Sequence, residues 1–129
     1  MDMEITEKQK HKISEIAEKY GLRLILLFGS RVSGDIHKES DFDVAYLAEK
    51  QLDFEEENRL NYEFTNVFQN DKVDTVDLKK ANPLLMFGIF QDAQVLFAGD
   101  AYVFPRYRTY AFKKYVEAKP LYKLKFGHI

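Results

Sequence analysis

Two aspartates and a Gly-Ser pair, separated by ten residues, are the strongest candidates for chemistry in this chain. Gly29 and Ser30 follow an apolar run, while Asp41 and Asp43 open a second one. Side chains two residues apart on a strand point to the same face, on the order of 7 Å apart at Cα. Carboxylates bind hard divalent cations, and a glycine corner lets backbone N–H groups approach a phosphate. The pattern therefore predicts joint binding of a divalent cation and a nucleoside triphosphate.

Simpler interpretations exist for the same residues. A Gly-Ser pair on its own is typical of an ordinary turn between a strand and a loop. Asp41 could cap a turn, since the alternation over residues 41–44 also fits a strand edge that faces solvent. Two carboxylates among Phe42, Val44 and Ala45 are costly unless cations pair with them. We therefore favour Asp41 and Asp43 as metal ligands.

Residues around the two motifs could contact phosphates. Ser30 offers its hydroxyl and its main-chain N–H, and these would be reinforced if a helix began there. Arg31 could reach a phosphate, although a surface arginine explains it nearly as well. Ser40 could orient the loop or a phosphate, or it could be an ordinary turn serine. His37 lies in the loop between the motifs and is not assigned a metal.

A third acid is expected from a neighbouring strand. The apolar segment Val73–Leu78 contains Asp74 and Asp77. Because they are three residues apart on a predicted strand, their side chains face opposite sides of the sheet. Only one of them can face the metal site, and the residues alone leave open which.

These motifs resemble the minimal nucleotidyltransferase (MNT) family of the DNA polymerase beta-like superfamily. The resemblance runs from Gly29-Ser30 and Asp41-Phe42-Asp43 through residues 72–78 to the segment 83–99. It implies a nucleotidyltransferase fold, with Asp74 as the third acid, which would ligate metal and could act as a base. Asp77 would then end its strand.

The resemblance also implies an activity and a partner. MNT proteins are antitoxins that use ATP and Mg²⁺ (or Mn²⁺), with two metals, to transfer AMP to a tyrosine of a HEPN ribonuclease toxin. The acceptor hydroxyl would attack the α-phosphate, and pyrophosphate would leave. Two alternatives stay open: an antitoxin that neutralises its toxin by binding alone, and a nucleotidyltransferase with a small-molecule acceptor such as an antibiotic.

Composition narrows the class of protein. The chain has 129 residues, so we expect a single domain over residues 1–129 with one core. It has no cysteine, which excludes disulfides and a thiol nucleophile and leaves carboxylates, histidines or carbonyls as metal ligands. Neither a signal peptide nor an apolar run of membrane-spanning length is visible. We expect a cytoplasmic protein that does not enter a membrane.

Hydrophobic periodicity predicts the elements that position these residues. Continuous apolar runs predict buried strands, and steps of three and four predict helices. The expected fold class is α/β (α+β), a small mixed β-sheet with helices packed against it. In chain order we predict helix 6–20, strand 22–28, strand 42–47, helix 53–69, strand 73–78, a helix from 83, strand 94–97 and a helix over about 101–119.

The C-terminal segment differs from the rest in charge. Residues 1–100 hold 12 Lys and Arg against 20 Asp and Glu, whereas residues 101–129 hold 7 against 1. This asymmetry could mark a partner surface, or a basic helix lying against an acidic body. Its aromatic residues favour a protein partner, and we expect no direct nucleic-acid binding. Pro120 is expected to end or kink the helix, leaving a tail.

Overall fold

The computed structural model describes residues 3–29 and 42–126, with side chains described as far as residue 124. The elements follow the predicted order, and all predicted bounds agree closely except those of the last helix. They are α1 Glu7–Tyr20, β1 Leu22–Phe28, β2 Phe42–Ala48, α2 Phe54–Phe68, β3 Val73–Asp77, α3 Pro83–Asp92, β4 Gln94–Ala98 and α4 Val103–Phe126. Within these residues, no helix is both long and apolar enough to cross a membrane.

The four strands form one mixed sheet in the order β3-β2-β1-β4. β1 is antiparallel to both of its neighbours, β2 and β4. β2 and β3 are parallel, which requires a crossover, and α2 supplies it. The predicted α/β (α+β) class with a mixed sheet is confirmed.

Local sequence signals explain where the first two helices begin and end. Thr6 and Gln9 form a reciprocal capping box at the start of α1, and Asp53 and Glu56 form another at the start of α2. Gly21 ends α1 in the left-handed conformation, with φ of 65°. These caps fix where both helices begin and where α1 ends.

One face of the sheet is covered by α1 and α2. The core on this side joins both helices to alternate residues of the strands, and Phe64 of α2 is fully buried in it. It contains Ile13, Ile16, Ala17, Tyr20, Leu22, Ile25, Leu27, Phe42, Val44, Tyr46, Ala48, Leu52, Leu60, Phe64, Val67, Phe68 and Val73. We call this side the first face.

The second face is covered by α3 and by the first half of α4. Its core is smaller than that of the first face. It contains Leu24, Leu26, Ala45, Leu47, Leu78, Met86, Ile89, Phe90, Val103 and Ala111.

The prediction that α4 ends near residue 119 is wrong. The helix passes through Pro120 and continues to Phe126. Proline removes one backbone hydrogen bond, but Val116, whose carbonyl loses its partner, is exposed, so water can satisfy that carbonyl. A tertiary contact also holds the last turns, since the Leu84 N–H donates to the Tyr122 hydroxyl at 3.1 Å. That contact gives a partner to an N–H in the first turn of α3.

Candidate active site

Two neighbouring strands bring Asp43 and Asp74 together at one end of the sheet. Asp43 in β2 is the register partner of Phe28 in β1 and of Asp74 in β3. Registered residues of neighbouring strands point to the same face, so the two carboxylates project side by side. Asp43 is buried, with 6% exposure, whereas Asp74 is exposed.

The acids lie on the second face of the sheet. Alternation along β2 places Phe42 and Val44 in the core of the first face and Ala45 in the core of the second. Asp43 therefore shares the side of Ala45, and Asp74 follows it by register. Since Asp74 is exposed, α3 and α4 leave this end of the second face open.

Contacts of Phe42 on the first face and with the residue before β3 hold the start of β2. The Phe42 ring stacks on Phe68 of α2, with ring centroids 4.5 Å apart. The Phe42 N–H donates to the Lys72 carbonyl at 3.1 Å, which extends the pairing of β2 and β3 past the acid pair. Anchoring Phe42 on the first face directs the neighbouring Asp43 side chain to the second.

Asn61 of α2 holds β3 on both sides of Asp74. Its amide nitrogen donates to the Val73 carbonyl at 2.8 Å and lies 3.4 Å from the Thr75 hydroxyl oxygen. Among the described residues β3 lies at the edge of the sheet, so no described strand pairs with its outer backbone groups. Asn61 is not among the residues predicted from the sequence, because no spacing within the chain relates it to the strand that it supports.

Position 29 must be glycine because its backbone lies against the Asp43 carboxylate. Its φ is 84°, a left-handed conformation that glycine adopts readily. A Cβ at this position would lie 2.9 Å from the Asp43 carboxyl carbon and closer still to Oδ2. Only glycine lets the chain turn while the buried carboxylate packs against its backbone.

Asp77 occupies a different environment from Asp74. It is the register partner of Tyr46, whose side chain lies in the core of the first face. Its carboxylate accepts hydrogen bonds from the Lys79 N–H at 2.9 Å and from the Gln51 amide at 3.1 Å. β3 ends at Asp77, so this carboxylate stabilises the turn that follows and points away from Asp43.

Several predicted site residues lie outside the described part of the chain. These are Ser30, Arg31, Ser40 and Asp41, together with the loop between the motifs that contains His37. Of the seven predicted site residues, the described part brings together Gly29, Asp43 and Asp74. Within residues 3–29 and 42–126, no group of three or more acidic or histidine side chains is placed to hold a metal ion.

A broad groove elsewhere on the molecule is not connected to the acids. It lies between α1 and α2 and has a volume of about 920 Å³. Its walls include Lys12, Lys19 and Glu63, a mixture of charges, and neither Asp43 nor Asp74 lines it. The candidate site is therefore the open end of the second face.

A comparison with known protein families shows which family the chain belongs to. The model of the family described as polymerase beta, nucleotidyltransferase matches residues 11–102, which include both motifs and Asp74. The chain belongs to the polymerase beta nucleotidyltransferase family. Membership confirms the nucleotidyltransferase class predicted from Gly29, Asp43 and the neighbouring acids.

Two curated proteins with the same name are related to this nucleotidyltransferase. Protein adenylyltransferase MntA of Aphanizomenon flos-aquae is 27% identical over 117 residues, covering 84% of this chain and 78% of that protein. Protein adenylyltransferase MntA of Shewanella oneidensis is 41% identical over 64 residues, covering 50% of this chain and 45% of that protein.

Solved structures share the fold of this nucleotidyltransferase. A toxin-antitoxin complex with AMP-PNP contains a chain with a TM-score of 0.77 and 24% identity, covering 92% of this chain and 95% of that one. A complex of the tri-AMPylated Shewanella oneidensis HEPN toxin with MNT antitoxin gives 0.75 and 22%, covering 94% and 95%. At these identities the likeness confirms the predicted nucleotidyltransferase fold.

Proposed function

We propose that this nucleotidyltransferase transfers AMP from ATP to a tyrosine of a HEPN-type toxin and so acts as its antitoxin. The observation that carries the proposal is the register of Asp43 with Asp74 beside Gly29, in a member of this family. Relatives named protein adenylyltransferase support AMP as the group transferred. Structural neighbours in complex with a HEPN toxin and with AMP-PNP support the partner and the nucleotide.

The residues present fit a divalent cation. Asp43 and Asp74 supply carboxylate oxygens from one face, and Asp41 is expected to supply a third carboxylate. Oxygen ligands of this kind suit Mg²⁺ or Mn²⁺. Glycine at position 29 leaves the Asp43 carboxylate in place, because a Cβ there would overlap that carboxylate. Two such ions, when bound, would neutralise charge on the transferring phosphate and on the leaving group.

Each of the chain's own groups has a distinct role in this proposal. The Gly29 and Ser30 backbone would hold the triphosphate, with Arg31 and Ser40 as further phosphate contacts. The tyrosine oxygen forms a bond to the α-phosphorus, the bond from that phosphorus to the bridging oxygen breaks, and pyrophosphate leaves. Asp74 is exposed, so an acceptor arriving from solvent can pass its hydroxyl proton to that carboxylate.

The decisive experiment detects the transferred group on the partner. The chain is incubated with radiolabelled ATP, Mg²⁺ and the HEPN-type protein encoded beside it, and the partner is then examined by mass spectrometry. We expect a mass increase of one or more AMP units on tyrosine, and we expect none with an Asp41→Asn variant. The location of this reaction in the cytoplasm stays a prediction.

The alternatives give different outcomes in the same experiment. If wild type leaves the partner unmodified and the Asp41→Asn variant still neutralises it fully, the chain is an antitoxin that acts by binding alone. If labelled AMP appears on an added small molecule such as an aminoglycoside, and not on the partner, the acceptor is a small molecule. Either result would overturn the proposed function.

A further inference from the structure

An exposed apolar seam runs between α3 and α4. The Phe87 ring of α3 lies 6.1 Å from the Phe112 ring and 4.1 Å from the Tyr115 ring, measured between centroids. Leu84 is three residues before Phe87 and Val116 is four after Phe112, so each shares the side of its neighbour. Leu84 is 40% exposed, Phe112 57% and Val116 49%. We call Leu84, Phe87, Phe112 and Val116 the α3–α4 seam.

Positive charge extends the seam along α4. Lys119 is three residues beyond Val116, and Lys123 is four beyond Lys119, so helical geometry places both on the side of the seam. Both are exposed. Over the whole helix, residues 103–126 hold seven Lys and Arg against Glu117 alone. The surface thus combines an apolar centre with a basic end, a pattern suited to a protein partner with acidic residues beside an apolar patch.

The seam lies on the side of the sheet from which the acids project. α3 and α4 pack on the second face of the sheet, and Asp43 and Asp74 project from the same face. The Leu84 N–H, bonded to the Tyr122 hydroxyl, fixes the last turns of α4 against the start of α3. A protein resting on this surface therefore lies on the side of the sheet where the reaction takes place.

A second copy of the chain fits the seam poorly. In a symmetric dimer the same patch meets itself, so residue pairs are exchanged between identical surfaces. The basic ends formed by Lys119 and Lys123 would then add like charges to the contact. An acidic surface on a different protein would instead neutralise the charges of Lys119 and Lys123.

We propose that the α3–α4 seam is the docking surface for the acceptor protein, through apolar contacts at Phe112 and Val116 and ion pairs at Lys119 and Lys123. This inference rests on the proposed function, because the acceptor is the HEPN-type toxin named there. It adds the surface by which that protein is held, separately from the chemistry.

The test measures binding without catalysis. Isothermal titration calorimetry without ATP compares wild type with a Phe112→Ala/Val116→Ala variant and with a Lys119→Glu/Lys123→Glu variant, against the HEPN-type protein. We expect each variant to weaken binding about tenfold or more, and the lysine variant to lose much of the salt dependence. All four positions are exposed, so circular dichroism should show folded proteins that melt near wild type.

Controls come from exposed residues on the first face. Phe54 is 76% exposed on α2, and Lys8 is exposed on α1. Phe54→Ala and Lys8→Glu should change the affinity less than twofold. Wild-type affinity in both seam variants would overturn the inference. So would seam-dependent dimerisation in sedimentation, or seam-dependent binding of a single-stranded RNA oligonucleotide that competes with the protein.

The outcomes separate this inference from the proposed function. If wild type modifies the partner and the seam variants do so with an unchanged KM for it, the docking surface is wrong while the function stands. If wild type neither binds nor modifies the partner, the proposed function itself fails. A raised KM with an unchanged kcat in the seam variants would support docking at this surface.

Discussion

The two faces of the sheet differ in how completely helices cover them. On the first face, α1 and α2 close over a core that includes the fully buried Phe64 and Leu60. On the second, α3 and α4 cover part of the strands and leave Asp74 exposed at one end. Among the described residues, seven of the eleven exposed large apolar side chains lie on α3 and α4, which locates the unpartnered surface on that side.

The packing of the two faces indicates that one mainly stabilises the fold and that the other carries the candidate site. A closed core stabilises the fold by burying apolar area, but it leaves nothing for a ligand to contact. The proposed cation site and the proposed docking seam both lie on the second face, and that face packs less completely. Substitutions on the first face should therefore act mainly on stability, and those on the second mainly on activity or binding.

The largest expected effect is the loss of transfer when an acid of the second face is replaced. Asp43→Asn and Asp74→Asn should each lower the AMP transfer rate by roughly 10²–10³-fold or more, because charge stabilisation is lost. Asp77→Asn should retain most activity and lower stability instead, since its carboxylate holds the turn through Lys79. Rates and melting temperatures of the purified variants check this.

Two results would contradict the assignment of the active site to the second face. Activity lost in Asp77→Asn and retained in Asp74→Asn would mean that the catalytic face is the other one. Metal-dependent nucleotide binding that survives the Asp41→Asn/Asp43→Asn double change, measured by calorimetry, would remove the metal site from this end of the sheet.

Phe64→Ala is the matching substitution in the core of the first face. We expect it to lower the free energy of unfolding by about 3–5 kcal/mol, because a fully buried ring leaves a cavity. Phe112→Ala on the seam should cost much less, since that ring is 57% exposed. Urea unfolding measures both. Equal costs would show that the second face stabilises the fold as much as the first.

Gly29→Ala and Gly21→Ala form a matched pair. Both glycines have positive φ, so each alanine should cost about 1–2 kcal/mol of stability. A Cβ at Gly21 meets nothing within 4 Å, whereas at Gly29 it overlaps the Asp43 carboxylate. Displacing that carboxylate should lower transfer roughly 10²-fold in the Gly29 variant alone. Normal activity in Gly29→Ala would argue against the role of Asp43.

Asn61→Ala tests whether a side chain of α2 helps to hold Asp74 in position. Losing the hydrogen bond to the Val73 carbonyl frees the edge strand beside Asp74. We expect activity to fall about tenfold and the Mg²⁺ concentration for half-maximal rate to rise. Asn66→Ala, at an exposed position of the same helix, is the control. An unchanged Mg²⁺ dependence would confine Asn61 to a structural role.

The smallest expected effect is on the pH dependence of stability, and it involves the first face alone. Burial raises the pKa of Tyr20 to about 12, and its hydrogen bond to Glu63 adds to the rise. The stability that protonated Tyr20 contributes is complete below pH 10 and is lost as the pH rises towards 12. Tyr20→Phe should therefore flatten the alkaline loss of stability measured by urea unfolding. The same slope in both proteins would contradict this origin.

Local patterns determined much of the architecture and selected the candidate acids. Steps of three and four predicted the helices, and the apolar runs predicted every strand. Thr6 and Asp53 cap the first two helices at their predicted starts. The two-residue spacing of Asp41 and Asp43 suggested a shared face, and the three-residue spacing of Asp74 and Asp77 separated their faces. These inferences succeed because caps, periodicity and alternation depend on residues that are close in the chain.

Tertiary structure alone decided how distant residues meet. The parallel pairing of β2 with β3 places Asp74 in register with Asp43, Asn61 supports that strand from a helix, and α4 continues through Pro120 with Tyr122 bound to α3. Each depends on a contact between segments far apart in the chain, whose energy no local pattern contains. Local sequence therefore indicates which side chains are candidates for the site, and the packing of the sheet brings Asp43 and Asp74 together.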